Sequence, residues 1–233
     1  VSRPPGTPKG AFEVAILPQP QTTAKAFRKT ALKLEEDASK KAREARERFE
    51  RRGCEARGSE DISDDAGVES AFWKALTPLN EAPLYGADVD ATCFGADDKT
   101  VEGEVPGWHL DSIPSCRLRP FLKRLKARIP GVTNGMLYFG APRAFFAWHV
   151  EDANLYSVNY LHCGAPKSWY ALDPRAAPKF EEKCREAFPD LARECKDFLR
   201  HKTVVVSPDL LVRWDLDQYL VECVQRPGEM VVT

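Results

Sequence analysis

No stretch of the chain approaches the ~18 consecutive apolar residues that would span a bilayer, and no secretory leader pattern opens it. A membrane-embedded role is therefore not expected. Charge of one sign is also missing: 34 Lys and Arg face 35 Asp and Glu, a formal net charge of −1. No overall field would hold such a chain to nucleic acid, although a local basic patch leaves direct DNA contact open. The cysteines lack the pattern of a disulfide framework. Seven of them, scattered and odd in number, suit a reducing compartment. An initiator Met is absent at Val1, and the last residues, Met230-Val231-Val232-Thr233, read as a strand interrupted. The expectation is a fragment.

What is present is enough for a core. The chain has 233 residues, 43% of them apolar, with five Trp and twelve Phe. That length allows one substantial domain plus an appendage. Residues 1–24 are rich in Pro and Gly and read as a disordered N-terminal segment. From Lys25 to Arg52, eleven basic and six acidic residues alternate among alanines. This is the composition of a solvated surface helix, with a nuclear-import or DNA-contacting stretch as the alternative. An acidic linker follows to residue 69, and globular sequence occupies 70–233.

Within that globular part the periodicity changes twice. Arg117 to Ile129 has helical spacing, stopped by Pro130-Gly131. Met136 to Phe139, Ala144 to Val150, Leu155 to His162 and Ser168 to Leu172 are short apolar or aromatic runs between turn residues, the pattern of antiparallel strands. Helix returns at Pro178 to Phe188 and Leu191 to Leu199. Val204 to Val206 reads as a strand, and Ser207-Pro208 as a helix start with Ser at the N-cap. Tyr219 to Val224, the turn Arg226-Pro227-Gly228 and Glu229 to Thr233 look like a final hairpin. Mainly β with helical insertions, a sandwich or jelly roll, is the expected class.

The segment Phe145-Phe146-Ala147-Trp148-His149-Val150-Glu151-Asp152 carries the chemistry. On a strand, His149 and Glu151 would share a face. An imidazole and a carboxylate side by side are two of the three protein ligands of a non-haem Fe(II) facial triad. His-x-Glu alone is weak and more often a surface or core pair. Its aromatic setting strengthens it, because a carboxylate there needs a partner charge. Lys167, two short strands later, could reach the carboxylate of a cosubstrate on the same metal; a snorkelling edge lysine is the plainer reading.

Taken together, His149-Val150-Glu151-Asp152, Leu155-Tyr156-Ser157-Val158-Asn159-Tyr160-Leu161-His162 and Gly164-Ala165-Pro166-Lys167-Ser168-Trp169-Tyr170 closely resemble the JmjC domain of jumonji histone demethylases. Tyr85-Gly86-Ala87-Asp88-Val89 and Phe198-Leu199-Arg200-His201-Lys202 point to the branch acting on trimethylated lysine of histone H3. The resemblance covers about residues 70–233, with a weaker likeness at Ala26-Phe27-Arg28-Lys29. It implies a double-stranded β-helix, the cupin-like jelly roll, incomplete at its C-terminal end.

The resemblance also implies roles. His149 and Glu151 would bind Fe(II). Tyr85 and Lys167 would hold the distal carboxylate of 2-oxoglutarate, with Asn159, Trp169 and Phe146 lining that pocket. Strict strand alternation sets Phe146 opposite His149, so its role would require a bulge or bend. Gly131, Tyr138 and Met136 would face the methylated lysine. Cys195 and His201 match half of a Cys/His structural zinc site; without the family context, a buried thiol and a structural imidazole would be the ordinary reading. His109, His162 and Cys163 are expected to be structural.

The implied activity is oxidative demethylation of tri- and dimethyl-lysine on the histone H3 tail, at lysine nine or thirty-six. Hydroxylation of an N-methyl group is followed by loss of formaldehyde. Attack on C–H needs no nitrogen lone pair, so a quaternary ammonium can react. The implied partner is the nucleosome, and the implied location the nucleus. Three departures stand against the pattern. No candidate exists for a third iron ligand, so the 233-residue chain alone is expected to be inactive. Met136 stands where relatives carry Tyr, which puts the methylation-state preference in doubt. No function is evident for Ala141-Pro142-Arg143.

Two competing readings stay open: a JmjC hydroxylase of another protein, and a non-catalytic chromatin-binding JmjC module. A His within about ten codons beyond Thr233 would favour catalysis over the module.

Overall fold

The computed structural model describes residues 1–51, 65–77, 82–91, 93, 124, 127 and 129–233. The helix expected over Arg117 to Ile129, the acidic linker before residue 65, and His109 lie outside the described residues. The chain divides into two compact units. The larger comprises Val1–Pro20, Arg43–Ala82 and Phe145–Thr233; the smaller comprises Gln21–Ala42 and Pro83–Ala144.

Among the described residues eight strands form four two-stranded antiparallel sheets, with short helices between them. The mainly β class with helical insertions is what the chain adopts. In the larger unit, strand β1 (Ala11–Glu13) pairs with β6 (Val204–Val206). The N-terminal segment is thus not structureless throughout, as its Pro and Gly content suggested. Ala11 is fully buried, and Gly10 (φ +97°) leaves no room for a Cβ, which would meet the Ser207 hydroxyl at 2.4 Å. All three valines of β6 are buried, which is why a run of three β-branched residues suffices to make a strand there.

Helix α1 spans Ala24–Arg51, where the charged helix was expected, and α2 spans Asp65–Ala75. Helix α3 (Ala177–Ala187) buries Phe180, Cys184 and Ala187, at the i, i+4, i+7 positions of one face. Helix α4 (Pro189–Glu194) and a 3-10 turn at Phe198–His201 replace the single helix expected over Leu191 to Leu199. Helix α5 (Pro208–Arg213) starts as its sequence indicates, with the Ser207 hydroxyl accepting from the Leu210 N–H at 3.3 Å and Pro208 in the first turn. Phe198, Leu210, Leu211 and Leu216 close one core with α3 and β6.

The remaining strands of the larger unit form one antiparallel ribbon bent at a corner. Strand β4 (Val158–Tyr160) pairs with β8 (Met230–Val232), and β5 (Lys167–Leu172) pairs with β7 (Leu220–Gln225). The expected final hairpin does not form: β7 and β8 are successive stretches of one arm, each paired with the other arm. Asn159 faces Val231 and Lys167 faces Gln225. The outgoing arm therefore uses two more residues than the returning one to round the corner. Gly164 (φ +101°) and Gly228 (φ +89°) take the left-handed conformations the corner requires. Leu161 N–H donates to Glu229 O, and Gly228 N–H donates to Leu161 O, so the ribbon stays bonded as it turns.

In the smaller unit, β2 (Tyr85–Val89) pairs with β3 (Leu137–Gly140) through a register shift between Gly86 and Val89. Phe139 packs against Phe27 of α1 (centroids 6.1 Å apart), which explains why Phe27 is buried in an otherwise solvated helix segment.

Burial pushes the Cys184 thiol up to about 12, whereas an unfolded thiol titrates near ~8.5. Between those values the unfolded chain binds fewer protons, so stability falls as pH rises. Urea titrations should show a declining midpoint from about pH 8.5 towards 12 that Cys184→Ala, despite its small cavity, flattens. An identical pH slope in that variant would refute the assignment.

Candidate functional site

The segment from Ala141 to Glu151 is not a strand. The face-sharing argument for His149 and Glu151 is corrected accordingly: the two are neighbours through an irregular loop. What fixes that loop is Trp148. Its backbone N–H donates to Val204 O at 2.9 Å and its indole N–H to Val206 O at 2.9 Å. Its ring packs on Phe180, 5.4 Å between centroids. The residue before the imidazole is thereby bolted to a buried strand.

His149 Nδ1 lies 2.8 Å from Ala147 O. A carbonyl can only accept, so Nδ1 carries the proton and Nε2 presents its lone pair. That nitrogen is 3.9 Å from Glu151 Oε1. Adjacent ligands of one metal with bonds of roughly 2.1 Å lie about 3.0 Å apart, so metal binding would draw the two atoms closer. A neutral imidazole nitrogen and a carboxylate oxygen are donors suited to Fe(II). Among the described residues no group of three or more His, Cys, Asp or Glu is placed to hold a metal, so the pair supplies two donors and no third.

After Glu151 the chain turns back on itself. Ala153 (φ +53°) and Asn154 (φ +54°) both lie in the left-handed region, which costs a non-Gly residue about 1–2 kcal/mol. Asn154 N–H donates to Glu151 O at 3.0 Å, and Arg200 Nη2 donates to Asn154 Oδ1 at 2.8 Å. The reversal returns Ser157 to Glu151, and its hydroxyl donates to Oε1 at 2.8 Å. Two residues on, Asn159 points to the same side of the extended chain. Its Oδ1 accepts from Lys167 Nζ at 3.2 Å. Burial lowers the Lys167 pKa, because a half-desolvated ammonium has lost solvation that one neutral amide oxygen does not replace.

Aromatic rings join the two pairs. Phe146 meets His149 edge-on at 6.0 Å and tilts against Trp169 at 5.6 Å. No bulge was needed for this, because the loop is not bound by strand alternation. Lys167 and Trp169 alternate onto one face of β5. The structure thus brings together His149, Glu151, Phe146, Trp169, Lys167 and Asn159.

Gln225 braces the group and was not anticipated. It is 1% exposed. Its Oε1 accepts from the Trp169 indole at 2.9 Å, while Nε2 donates to Asn159 O at 2.9 Å and to Glu229 O at 3.0 Å. The available signal was a lone amide ending the strand Leu220–Gln225.

Tyr85, Gly131, Met136 and Tyr138 lie in the smaller unit. Tyr85 and Tyr138 stack, with centroids 6.1 Å apart, and Tyr138 donates to Asp88 Oδ1 at 2.7 Å. The Tyr85 phenol is held well above its ordinary pKa, first by burial and then by the Tyr138 and Asp88 charges. Gly131 (φ +77°) would set a Cβ 3.1 Å from Met136 Sδ, so these two residues lie against each other. In the larger unit, Cys195 is half-buried against the α3 core, and His201 is exposed at the end of its 3-10 turn. His162 sits edge-on to Tyr160 at 4.8 Å, and Cys163 is exposed.

Residues 136–233 match the family described as JmjC domain, hydroxylase. The chain is 38% identical over 170 residues to lysine-specific demethylase 4D of Rattus norvegicus, covering 73% of this chain and 31% of the relative. It is 35% identical over 170 residues to lysine-specific demethylase 4B of Mus musculus, covering 71% and 14%. It is 37% identical over 168 residues to a protein named probable lysine-specific demethylase 4F of Homo sapiens, covering 72% and 24%. The chain thus spans about a third or less of the length of these relatives.

Replacing Gln225 by Leu takes the acceptor from the Trp169 indole N–H and one donor from each of the Asn159 and Glu229 carbonyls, the second of which keeps the Leu161 N–H. At about 1–3 kcal/mol for a buried group left unsatisfied, urea unfolding should show a loss of roughly 1–3 kcal/mol. A loss no larger than that of an exposed substitution, under about 0.5 kcal/mol, would mean Gln225 is not the brace.

Proposed function

We propose, proceeding from the premise that this is a JmjC-domain chain related to the lysine-specific demethylase 4 proteins, that it supplies the iron- and 2-oxoglutarate-binding part of a histone H3 lysine demethylase. One observation carries this reading: a metal-competent pair, His149 and Glu151, is joined through Phe146 and Trp169 to a half-buried cation, Lys167. Two donors and an anion anchor fixed in one array suit a chelating 2-oxo acid that must bind at both ends.

In this reading His149 Nε2 and Glu151 hold iron. Lys167 takes the distal carboxylate of 2-oxoglutarate, Asn159 orients the ammonium, and Trp169 and Phe146 wall the pocket. Iron and 2-oxoglutarate, if bound with O2, would supply the C–H oxidation: one oxygen atom would enter the N-methyl group, the other would enter succinate as CO2 is lost, and the hydroxymethyl would leave as formaldehyde. The chain's own contribution is positioning. The Ala147 carbonyl accepts from Nδ1–H and so directs the Nε2 edge of the ring towards Glu151, Trp148 fixes the depth of the imidazole, and Phe146 and Trp169 pack between the pair and Lys167. Tyr138, Gly131 and Met136 are assigned to the methylated lysine of the H3 tail, at position nine or thirty-six, and Cys195 with His201 to a structural zinc. A nuclear location follows from a nucleosomal substrate.

The test uses the full-length gene product with iron, 2-oxoglutarate and H3 peptides trimethylated at lysine nine or thirty-six. Formaldehyde and succinate should appear together. Lys167→Ala should raise the 2-oxoglutarate KM about 10–100-fold, the loss of one charge-assisted contact. Succinate formed on another protein without formaldehyde would overturn demethylation in favour of hydroxylation. Iron binding with no turnover of any kind would favour the non-catalytic module.

A further inference from the structure

Glu151 carries more hydrogen bonding than a ligand pair needs. Ser157 Oγ is 2.8 Å from Glu151 Oε1 and 2.6 Å from Thr233 Oγ1. The direction of both bonds can be deduced. An ionised carboxylate only accepts, so the single Ser157 proton goes to Glu151. Ser157 then has only lone pairs left for Thr233, and Thr233 must donate. The chain runs in one direction, Thr233 O–H to Ser157 O–H to Glu151 Oε1, and each donation polarises the next hydroxyl.

The backbone holds this chain in place. Ser157 N–H donates to Thr233 O at 3.1 Å and Thr233 N–H donates to Ser157 O at 3.0 Å, a closed antiparallel pair just beyond β4 and β8. Both hydroxyls therefore sit at a fixed spacing before any metal arrives. The left-handed turn at Ala153 and Asn154 is what returns the chain to this position, and Arg200 secures that turn through Asn154. A bond that merely satisfied a strand end would need neither the strained reversal nor the carboxylate.

We infer that Ser157 and Thr233 are positioning residues: an ordered two-hydroxyl chain that sets the rotation of the Glu151 carboxylate so that its edge faces His149 Nε2. The inference rests on the metal reading of His149 and Glu151 given above. Its consequence is that the carboxylate is orientated in the metal-free protein, so metal affinity depends on a hydroxyl at 157 and, through it, on one at 233.

The readout is metal affinity without cosubstrate, on the full-length protein, by Mn(II) equilibrium dialysis and the Co(II) ligand-field spectrum. Ser157→Ala should weaken Mn(II) binding about 10–100-fold, the range for partners that orient a ligand, and shift the Co(II) bands. Ser157→Thr, which keeps the hydroxyl, should restore both. Thr233→Val, which keeps the backbone pair, should weaken binding less. The double variant should match Ser157→Ala alone, since Thr233 acts only through Ser157. Wild-type affinity and spectrum in Ser157→Ala, with binding lost in His149→Ala and Glu151→Ala, would overturn the inference and leave the metal reading standing. Additive losses in the double variant would overturn the relay. Full affinity in His149→Ala and Glu151→Ala would refute the metal reading, and this inference with it.

Discussion

The site depends first on one clamp, Trp148 against β6. An irregular loop has no ladder to fix its depth, so its side chains would ordinarily wander. Here the backbone N–H and the indole N–H of one residue both end on carbonyls of the same buried strand, at 2.9 Å each. Two bonds to a single rigid partner define both position and tilt. Because β6 is itself held by β1 and by the α3–α5 core, the imidazole at the next position inherits the rigidity of the hydrophobic core. This also gives the N-terminal strand a purpose: Ala11–Glu13 covers the edge of β6 that would otherwise be open.

The second constraint is the bent ribbon. Four donor or anchor positions fall on it, and the corner brings their two levels into one array. Ser157 and Asn159 belong to the first level, Lys167 and Trp169 to the second. Gln225, opposite Lys167 on the returning arm, bonds to Trp169 of the second level and to the Asn159 and Glu229 carbonyls at the corner. A buried amide with three good bonds is stabilising, and with one missing it is costly. Such a brace therefore tolerates little movement of the corner, and the corner's two extra residues are accommodated by glycines.

Much of this was legible in the sequence, though not always for the right reason. The Ser207-Pro208 start of α5 was readable because a cap is a local interaction. The His149 and Glu151 pairing was read through strand alternation, yet the segment is no strand, and the neighbours meet because Trp148 dictates the loop. Consecutive strands suggested a hairpin at the C-terminal end, whereas β7 and β8 pair with β5 and β4. Register between distant stretches is decided by which faces bury, and a linear pattern does not carry that. Gln225 was passed over for the same reason, since a polar residue's partners lie far along the chain. Ser157 was within reach: it stands two residues before Asn159, in phase with a residue already singled out.

The electrostatics of the anchor bear on why the array suits an anion. Lys167 is half-buried, its pKa is lowered by desolvation, and among the described residues its contact is the neutral Asn159 oxygen rather than a carboxylate. An ammonium in that state lacks part of the solvation its charge would have in water. A bound carboxylate would supply what burial removed, and its own desolvation would be offset by a cation already fixed in place. A permanent internal ion pair at Lys167 would leave little for a cosubstrate carboxylate to gain. On the proposed reading, the incomplete solvation of Lys167 is the source of affinity, and Asn159 aims the ammonium without neutralising it.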